Sequence, residues 1–242
     1  HITCAGGLSV QLEEAFAFAI SKVHSGRSLG LTIEQVAAIH LYTQESPFYK
    51  GLNGALGGWG EGGGRAAIPH YLPYMKIAMD ALAALPKVAI TGYRGVREVP
   101  LATLLQGKGV GDELVWWAIT STTGTSDVLR DPTFLGVGAE YGERVVFVVK
   151  MQSAVRIRTF SALGSSIAYY LQPFGSTDQD EDEYVIPPGI PFAIVSIEAF
   201  TNGVTQVVLH EVCTGAQTIL NTAVQNDAPV YNLATAGVAN GT

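Results

Sequence analysis

The sequence of 242 residues is poor in charge, and especially in positive charge, and it lacks a long apolar run. Lys and Arg number 14 against 21 Asp and Glu, which gives a net charge of -7. This balance disfavours binding to the phosphates of nucleic acid, so we expect no nucleic acid partner. Apolar segments such as residues 145–149 are far shorter than the roughly 20 residues that span a bilayer, so no membrane span is predicted.

Cysteine and histidine are also scarce. The five histidines are scattered without metal-ligand spacing, so no metal site is predicted. The only cysteines are Cys4 and Cys213. A bridge between them would close a very long loop and contribute roughly 4 to 5 kcal/mol on the chain-entropy model, whereas the alternative is two buried thiols. Neither cysteine has a metal or catalytic partner nearby in the sequence, which favours the bridge.

The cellular setting follows from the same residues. A disulfide bridge, together with His1 in place of an initiator methionine, would fit a secreted or cell-surface protein. With 48% hydrophobic residues, the chain is long enough and apolar enough to build its own core. We therefore expect a single domain over residues 1–213, and we expect the protein to be a monomer.

The first third of the chain carries helical signals. Apolar residues recur at helical spacing over residues 12–23, 32–45 and 71–85, and these segments predict three helices. Thr32 is predicted to cap the second helix, Ser46 and Pro47 to end it, and Pro73 to lie in the first turn of the third. By contrast, eight glycines in residues 51–64 predict a mobile loop, which we expect to cover the binding cleft.

After Pro86 the sequence changes to short, β-branched apolar segments that are typical of strands. These segments are residues 88–93, 114–119, 144–150, 155–160, 184–186, 192–197 and 205–212. Because helices are not regularly interposed, the strands are expected to form antiparallel or mixed sheets rather than a doubly wound parallel sheet. The prediction is an α+β fold with a helical front (residues 8–86), a β-rich core (residues 87–213) and a C-terminal tail (residues 214–242).

Three separated segments each place polar groups beside a predicted strand. Arg94 ends an apolar strand and offers its guanidinium to a phosphate, while Gly95 would let a ligand approach the backbone. Residues 121–123 add hydroxyls that can orient a carboxylate. Taken alone, the first is more often an ordinary strand-end arginine, and the second more often satisfies backbone groups in a turn.

The third segment is the acidic run of residues 178–183, which ends abruptly at an apolar strand. Acidic runs are normally solvated loops. Alternation along a strand, however, places Glu181 and Glu183 on one face at the strand entrance. Neighbouring carboxylates of this kind are suited to stabilising a developing cation.

In chain order, Arg94, residues 121–123 and residues 181–183 resemble the arginine, Ser-Thr-Ser and Glu-X-Glu signature of the arginine-specific ADP-ribosyltransferases, the R-S-E class. The resemblance extends to residues 31–43, 49–53, 81–86, 93–96 and 183–188, and it covers about residues 32–212. Thr123 departs from the signature by standing where the second serine is usual, although it keeps a hydroxyl.

The resemblance implies how NAD, as the substrate, would be bound. Arg94 would hold the NAD phosphates, and the backbone of Gly95 would pair with the nicotinamide amide. Phe134 would stack on the nicotinamide ring. Ser161 resembles a serine that family members place on the strand before the acidic loop.

The resemblance also implies the catalytic roles. Glu183 would bind the nicotinamide ribose and stabilise an oxocarbenium-like transition state, with Ser121 orienting it. Thr122 and Thr123 would support the site. Glu181 would receive and activate the guanidinium of the acceptor.

The implied fold has two small packed, mainly antiparallel sheets with an NAD cleft between them. The implied enzyme transfers ADP-ribose to an arginine of a partner protein and releases nicotinamide, without a metal. One alternative is an NAD glycohydrolase, in which water is the acceptor. Another is a silent module that binds NAD or a protein surface, although the intact Arg94, Ser121 and Glu183 favour catalysis.

Overall fold

The computed structural model describes residues 7–44, 46–58, 64–126, 129, 135, 143–162, 182–200 and 203–212. The chain divides into two compact units. The first comprises residues 1–87, 117–120 and 155–188, and the second comprises residues 88–116, 121–154 and 189–242. Cys4, Cys213 and the tail lie outside the described residues, so the bridge stays a prediction. Within the described ranges, no helix has the length and apolar character needed to cross a membrane.

The first unit contains the main helices of the described chain. They are α1 (Gly7–His24), α2 (Ile33–Thr43), α3 (Pro47–Gly57) and α4 (Ile68–Ala84), with a 3₁₀ turn at Gly64–Ala67. The three predicted helices correspond to α1, α2 and α4. Thr32 caps α2 as expected, because its hydroxyl accepts from the Gln35 N–H while the Gln35 side chain accepts from the Thr32 N–H. Pro73 lies in the second turn of α4 and not in the first, because that helix begins earlier than predicted.

The prediction of a mobile loop over residues 51–64 is wrong for its first half, which belongs to α3. Ser46 does not simply end α2: its hydroxyl caps α3, and Pro47 occupies the first turn, where a missing N–H costs nothing. Gly51 meets a packing need, since a Cβ there would lie 2.5 Å from the Tyr71 hydroxyl. Gly58 ends the helix at a φ of 77°. Residues 59–63 of the predicted loop lie outside the described residues.

The core of the first unit joins these helices to the later segments of the same unit. α1, α2 and α4 contribute small and branched side chains such as Ala15, Val36 and Ala81. Ile119, Val155, Ile157, Phe160 and Val185 pack into the same cluster. The helices therefore bury their apolar sides against the strand segments of this unit.

The described strands are β1 (Lys87–Arg97), β2 (Glu113–Trp116), β3 (Thr120–Thr123), β4 (Arg144–Arg156), β5 (Glu183–Ile186), β6 (Ile190–Ala199) and β7 (Val204–Glu211), and a short helix α5 (Leu101–Leu104) follows β1. In the first unit, the end of β4 pairs antiparallel with β5. In the second unit, β1 pairs with β3 and β4, β4 is parallel to β7, and β6 is antiparallel to both β7 and β2. The prediction of an α+β fold with mainly antiparallel strands is confirmed.

Two strand predictions are corrected. The segment predicted as residues 114–119 ends at Trp116, and the hydroxyl-bearing residues after it form β3 as a strand of their own. The segments predicted as residues 144–150 and 155–160 form the single strand β4 up to Arg156. Its polar middle stays hydrogen-bonded because the Glu211 carboxylate accepts from the Gln152 and Ser153 N–H groups at 2.6 and 2.9 Å.

Candidate active site

Arg94 and Ser121 are in direct contact in the second unit. The Arg94 Nη1 donates to the main-chain oxygen of Ser121 at 2.9 Å. β1 and β3 run antiparallel here, with Tyr93 opposite Thr123, so neighbouring positions of the two strands face each other. Arg94 was predicted at a strand end, but β1 continues to Arg97. Arg94 therefore lies within the strand, and the backbone that carries its guanidinium is fixed. This reduces the conformational entropy that would be lost when a ligand binds.

The hydroxyls of β3 are largely buried. Thr120, Thr122 and Thr123 are buried, and Ser121 is half-buried. The Thr122 Oγ1 lies 4.0 Å from the Met151 sulfur, and the Thr123 hydroxyl accepts from the Thr125 N–H at 3.3 Å. Thr123 thus stabilises the turn that follows β3. Of the residues in this motif, Ser121 is the most accessible.

Gly92 and Gly95, which flank Tyr93 and Arg94 on β1, lie where a side chain would come close to neighbouring atoms. A Cβ at Gly92 would lie 2.5 Å from the Met151 Cε and 2.9 Å from the Thr122 Oγ1. A Cβ at Gly95 would come within 3.3 Å of Leu129 and Leu135. Gly95 was predicted to admit a ligand, and in the structure a side chain there would also press against these two leucines. Gly92 was missed, because the atoms that exclude a side chain come from segments distant in sequence.

Glu183 is the first residue of β5, in the first unit, and its side chain is only 5% exposed. Its main-chain oxygen accepts from the Ile157 N–H at 3.0 Å, which anchors the start of β5 to the chain that follows β4. Burial lowers the local dielectric and so strengthens the attraction between a carboxylate and a nearby cation. A carboxylate in this setting can stabilise positive charge that develops on a bound substrate.

A second acidic residue beside Glu183 is held by two donors. Asp182 accepts from the Arg156 Nε through Oδ1 and from the Tyr184 hydroxyl through Oδ2, each at 2.6 Å. Arg156 and Tyr184 face each other across β4 and β5. Burial, followed by the hydrogen bond to Asp182, raises the pKa of Tyr184 to about 12, so the phenol stays a proton donor at neutral pH. The sequence analysis did not single out Asp182, because it is one of several acidic residues in the acidic run.

The family model for NAD:arginine ADP-ribosyltransferases matches residues 9–215 of this chain. The chain belongs to this family. It is therefore an ADP-ribosyltransferase that uses NAD as a substrate in a glycosyl-transfer reaction. No curated protein matches the sequence.

Solved ADP-ribosyltransferase structures share the fold. The Vis toxin, an ADP-ribosyltransferase from Vibrio splendidus, is 24% identical, with a TM-score of 0.55 over 90% of this chain and 88% of that chain. Vis in complex with agmatine is 24% identical, with a TM-score of 0.56 over 86% and 87%. A variant of the eukaryotic mono-ADP-ribosyltransferase ART2.2 in complex with NAD is 17% identical, with a TM-score of 0.56 over 88% and 82%. These likenesses concern the fold.

In this ADP-ribosyltransferase, the α2 segment that carries part of the family resemblance binds backbone groups of the first unit. The His40 Nδ1 lies 3.0 Å from the Phe160 oxygen, and because that oxygen can only accept, the Nδ1 carries the proton. The Tyr42 hydroxyl donates to the Ile119 oxygen at 2.8 Å. The Thr43 hydroxyl accepts from the Ala162 N–H at 2.8 Å. His40 is thus a buried residue whose ring is hydrogen-bonded to the backbone of the first unit.

The remaining predicted site residues are only partly covered. Glu181 and Phe134 lie outside the described residues, so their roles stay predictions. Ser161 is buried, but it follows a turn beyond the end of β4 and is not on the strand as predicted. Among the residues that the structure describes, His, Cys, Asp and Glu form no group that could hold a metal ion.

Proposed function

We propose that this enzyme transfers ADP-ribose from NAD to an arginine side chain of a partner protein and releases nicotinamide. The observation that carries the proposal is the burial of Glu183 at the start of β5, where it is the second glutamate of the Glu-X-Glu sequence. Support also comes from the family, which is described by its arginine acceptor, and from the agmatine complex of the Vis toxin, since agmatine carries a guanidinium group.

The proposed roles follow the resemblance. Arg94 binds the NAD phosphates, and the Gly95 backbone pairs with the nicotinamide amide. Phe134 stacks on the nicotinamide ring. Ser121 orients Glu183, supported by its hydroxyl-bearing neighbours on β3. The strand-held guanidinium of Arg94 fits a phosphate-binding role, because a planar fork of donors matches phosphate oxygens.

The proposed chemistry breaks one bond and forms one. The bond between nicotinamide and the ribose C1′ breaks, and its electron pair leaves with nicotinamide. Glu183 stabilises the positive charge that develops on the ribose. A guanidinium nitrogen of the acceptor then bonds to C1′, and Glu181 takes the proton that this nitrogen loses. When water bonds to C1′ in place of the guanidinium, its proton passes to solvent without Glu181, and the result is hydrolysis.

The test measures nicotinamide release from NAD with and without agmatine, together with the ADP-ribosylation of agmatine. The parent is compared with Glu183→Gln and Glu181→Gln. Glu198→Gln on the exposed part of β6 is the matched control, since it makes the same chemical change at a residue that is not among the proposed site residues. We expect Glu183→Gln to abolish both reactions, Glu181→Gln to abolish transfer but keep hydrolysis, and Glu198→Gln to change neither.

Other outcomes point to other functions. Nicotinamide release that produces no ADP-ribosylated agmatine would make the protein a glycohydrolase. Transfer that survives Glu181→Gln would remove the proposed role of that carboxylate.

We also propose that the protein is secreted or exposed at the cell surface, with a bridge between Cys4 and Cys213. Support comes from the two cysteines having no other partner in the sequence. The mass of the alkylated protein, measured with and without prior reduction, tests this: two thiols that react without reduction would disprove the bridge.

A further inference from the structure

The clearest structural feature beside Glu183 that the proposed mechanism does not use is the cluster of Arg156, Asp182 and Tyr184. Both oxygens of the Asp182 carboxylate accept a hydrogen bond at 2.6 Å, one from a guanidinium and one from a phenol. Bonds of this kind to a charged group are short and about twice as strong as those between neutral groups. We call this arrangement the Asp182 clamp.

The clamp differs from an ordinary surface ion pair. Lys76 and Asp80 on α4 form such a pair at 2.8 Å, with side chains 76% and 55% exposed, and pairs of this type contribute little. In the clamp, the Asp182 side chain is 27% exposed and the Tyr184 residue is buried. A donor that is itself buried on β5 has little freedom to move, so it fixes its acceptor more tightly than a long exposed side chain does.

Glu183 lies in the chain between the two clamped residues. Asp182 and Tyr184 bond to each other, so their side chains share one side of the chain, and alternation directs the Glu183 side chain to the other side. The Glu183 main-chain oxygen is held by Ile157. The clamp therefore restrains the backbone on both sides of Glu183.

We propose that Asp182, held by Arg156 and Tyr184, is a positioning residue that aligns Glu183 for the cleavage of NAD. Asp182 touches no reacting atom in this scheme and acts through the backbone. The proposal also predicts an effect on the acceptor step, which rests on the proposed function, because Glu181 directly precedes Asp182 in the sequence. Loss of the clamp should therefore reduce transfer to agmatine more than hydrolysis.

The test uses the full-length protein and steady-state nicotinamide release from NAD. Tyr184→Phe removes only the hydroxyl, and Asp182→Asn removes the charge with little change in shape. Arg156→Lys keeps the positive charge on a half-exposed side chain. It is used in place of the other two variants if they fail to fold, which thermal unfolding will show. Asp80→Asn is the matched control, because it breaks the exposed pair with Lys76.

We expect Tyr184→Phe and Asp182→Asn each to lower kcat about tenfold, the effect of losing one strong hydrogen bond, while KM for NAD stays within about twofold. The double variant should be little worse than either single variant, because both changes release the same restraint. Asp80→Asn should leave kcat and KM unchanged. A purely structural role would lower the melting temperature without this split between kcat and KM.

The outcomes distinguish a failure of the proposed role of Asp182 from a failure of the proposed transferase function. Unchanged kcat in folded Tyr184→Phe and Asp182→Asn variants would overturn the clamp even if the parent modifies agmatine. A parent that hydrolyses NAD but ignores agmatine would overturn the transferase function and leave the clamp to be judged by nicotinamide release. A parent that releases no nicotinamide would overturn both.

Discussion

Replacing Gly92 with alanine tests the packing that surrounds the backbone of Arg94. The added Cβ would lie 2.5 Å from the Met151 Cε, and 2.9 and 3.2 Å from the Thr122 Oγ1 and Cβ. Ordinary contacts between carbon atoms lie at about 3.5 to 4.0 Å, so the neighbours must move. Met151 ends in a flexible group, but it is fully buried, and Thr122 belongs to β3. Relief of the clash therefore requires either repacking around Met151 or a small separation of β1 from β3.

The expected change in the free energy of unfolding follows from two opposing effects. Overpacking of a core typically costs about 1 to 3 kcal/mol. Alanine also restricts the unfolded chain more than glycine does, which returns about 0.4 to 1 kcal/mol. We expect a net loss in the free energy of unfolding of about 1 to 2 kcal/mol, or a melting temperature about 2 to 8 °C lower. Because Arg94 is two residues along the same strand, KM for NAD should also rise.

The assay is thermal unfolding followed by circular dichroism, with nicotinamide release as the second measurement. Gly109→Ala is the matched control, since a Cβ there meets no atom within 4 Å and its φ lies outside the left-handed region. It should leave the melting temperature unchanged or slightly raised. In a Met151→Ala background, Gly92→Ala should cost less, because the nearest clashing atom is gone. Equal melting temperatures for Gly92→Ala and Gly109→Ala would refute the reasoning.

Three further predictions concern the first unit. Ser46→Ala removes the cap of α3 and should lower the free energy of unfolding by about 0.5 to 2 kcal/mol in urea denaturation, whereas Ser46→Gly should cost only a few tenths. Tyr42→Phe leaves the buried Ile119 oxygen without its donor and should cost about 1 to 3 kcal/mol; a change below the error of the same measurement would contradict that hydrogen bond. Burial lowers the pKa of His40 despite its bond to Phe160, so the unfolded state binds the proton more readily and stability should fall as the pH drops below about 6.5. His40→Gln should flatten this dependence by up to about 1.4 kcal/mol per pH unit in unfolding experiments from pH 7.5 to 5, and an identical pH profile would contradict it.

Local signals in the sequence predicted the parts of the fold that depend on neighbouring residues. The capping box of Thr32 and Gln35 was predictable because both partners lie within one turn of α2. The α+β class followed from the change in residue types after Pro86. Glycine content misled the prediction at α3, because a side chain at Gly51 would meet the hydroxyl of Tyr71, which lies 20 positions later in the chain.

In the strands and in the site too, the features that were missed depend on residues that are distant in sequence. Residues 151–154 were left between two predicted strands, but the Gln152 and Ser153 N–H groups bond to the Glu211 carboxylate, far along the chain. The family signature identified Arg94 and Glu183 as candidates. It gave no reason to single out Asp182, whose partners are a cross-strand arginine and a tyrosine that otherwise looks like a strand former.

Three polar residues of α2, which lies in the segment that resembles the family, bind main-chain groups of the first unit. His40, Tyr42 and Thr43 are buried, and each bonds to a main-chain group outside the helix. Tyr42 holds the oxygen of Ile119, which precedes Ser121 by two residues, and the other two hold the segment that leads toward the acidic run. Because α2 bonds to these main-chain groups, it restrains the backbone of the segments that precede Ser121 and the acidic run. Substitutions in α2 should therefore alter stability and alignment together, while those at Glu183 should alter the chemistry alone.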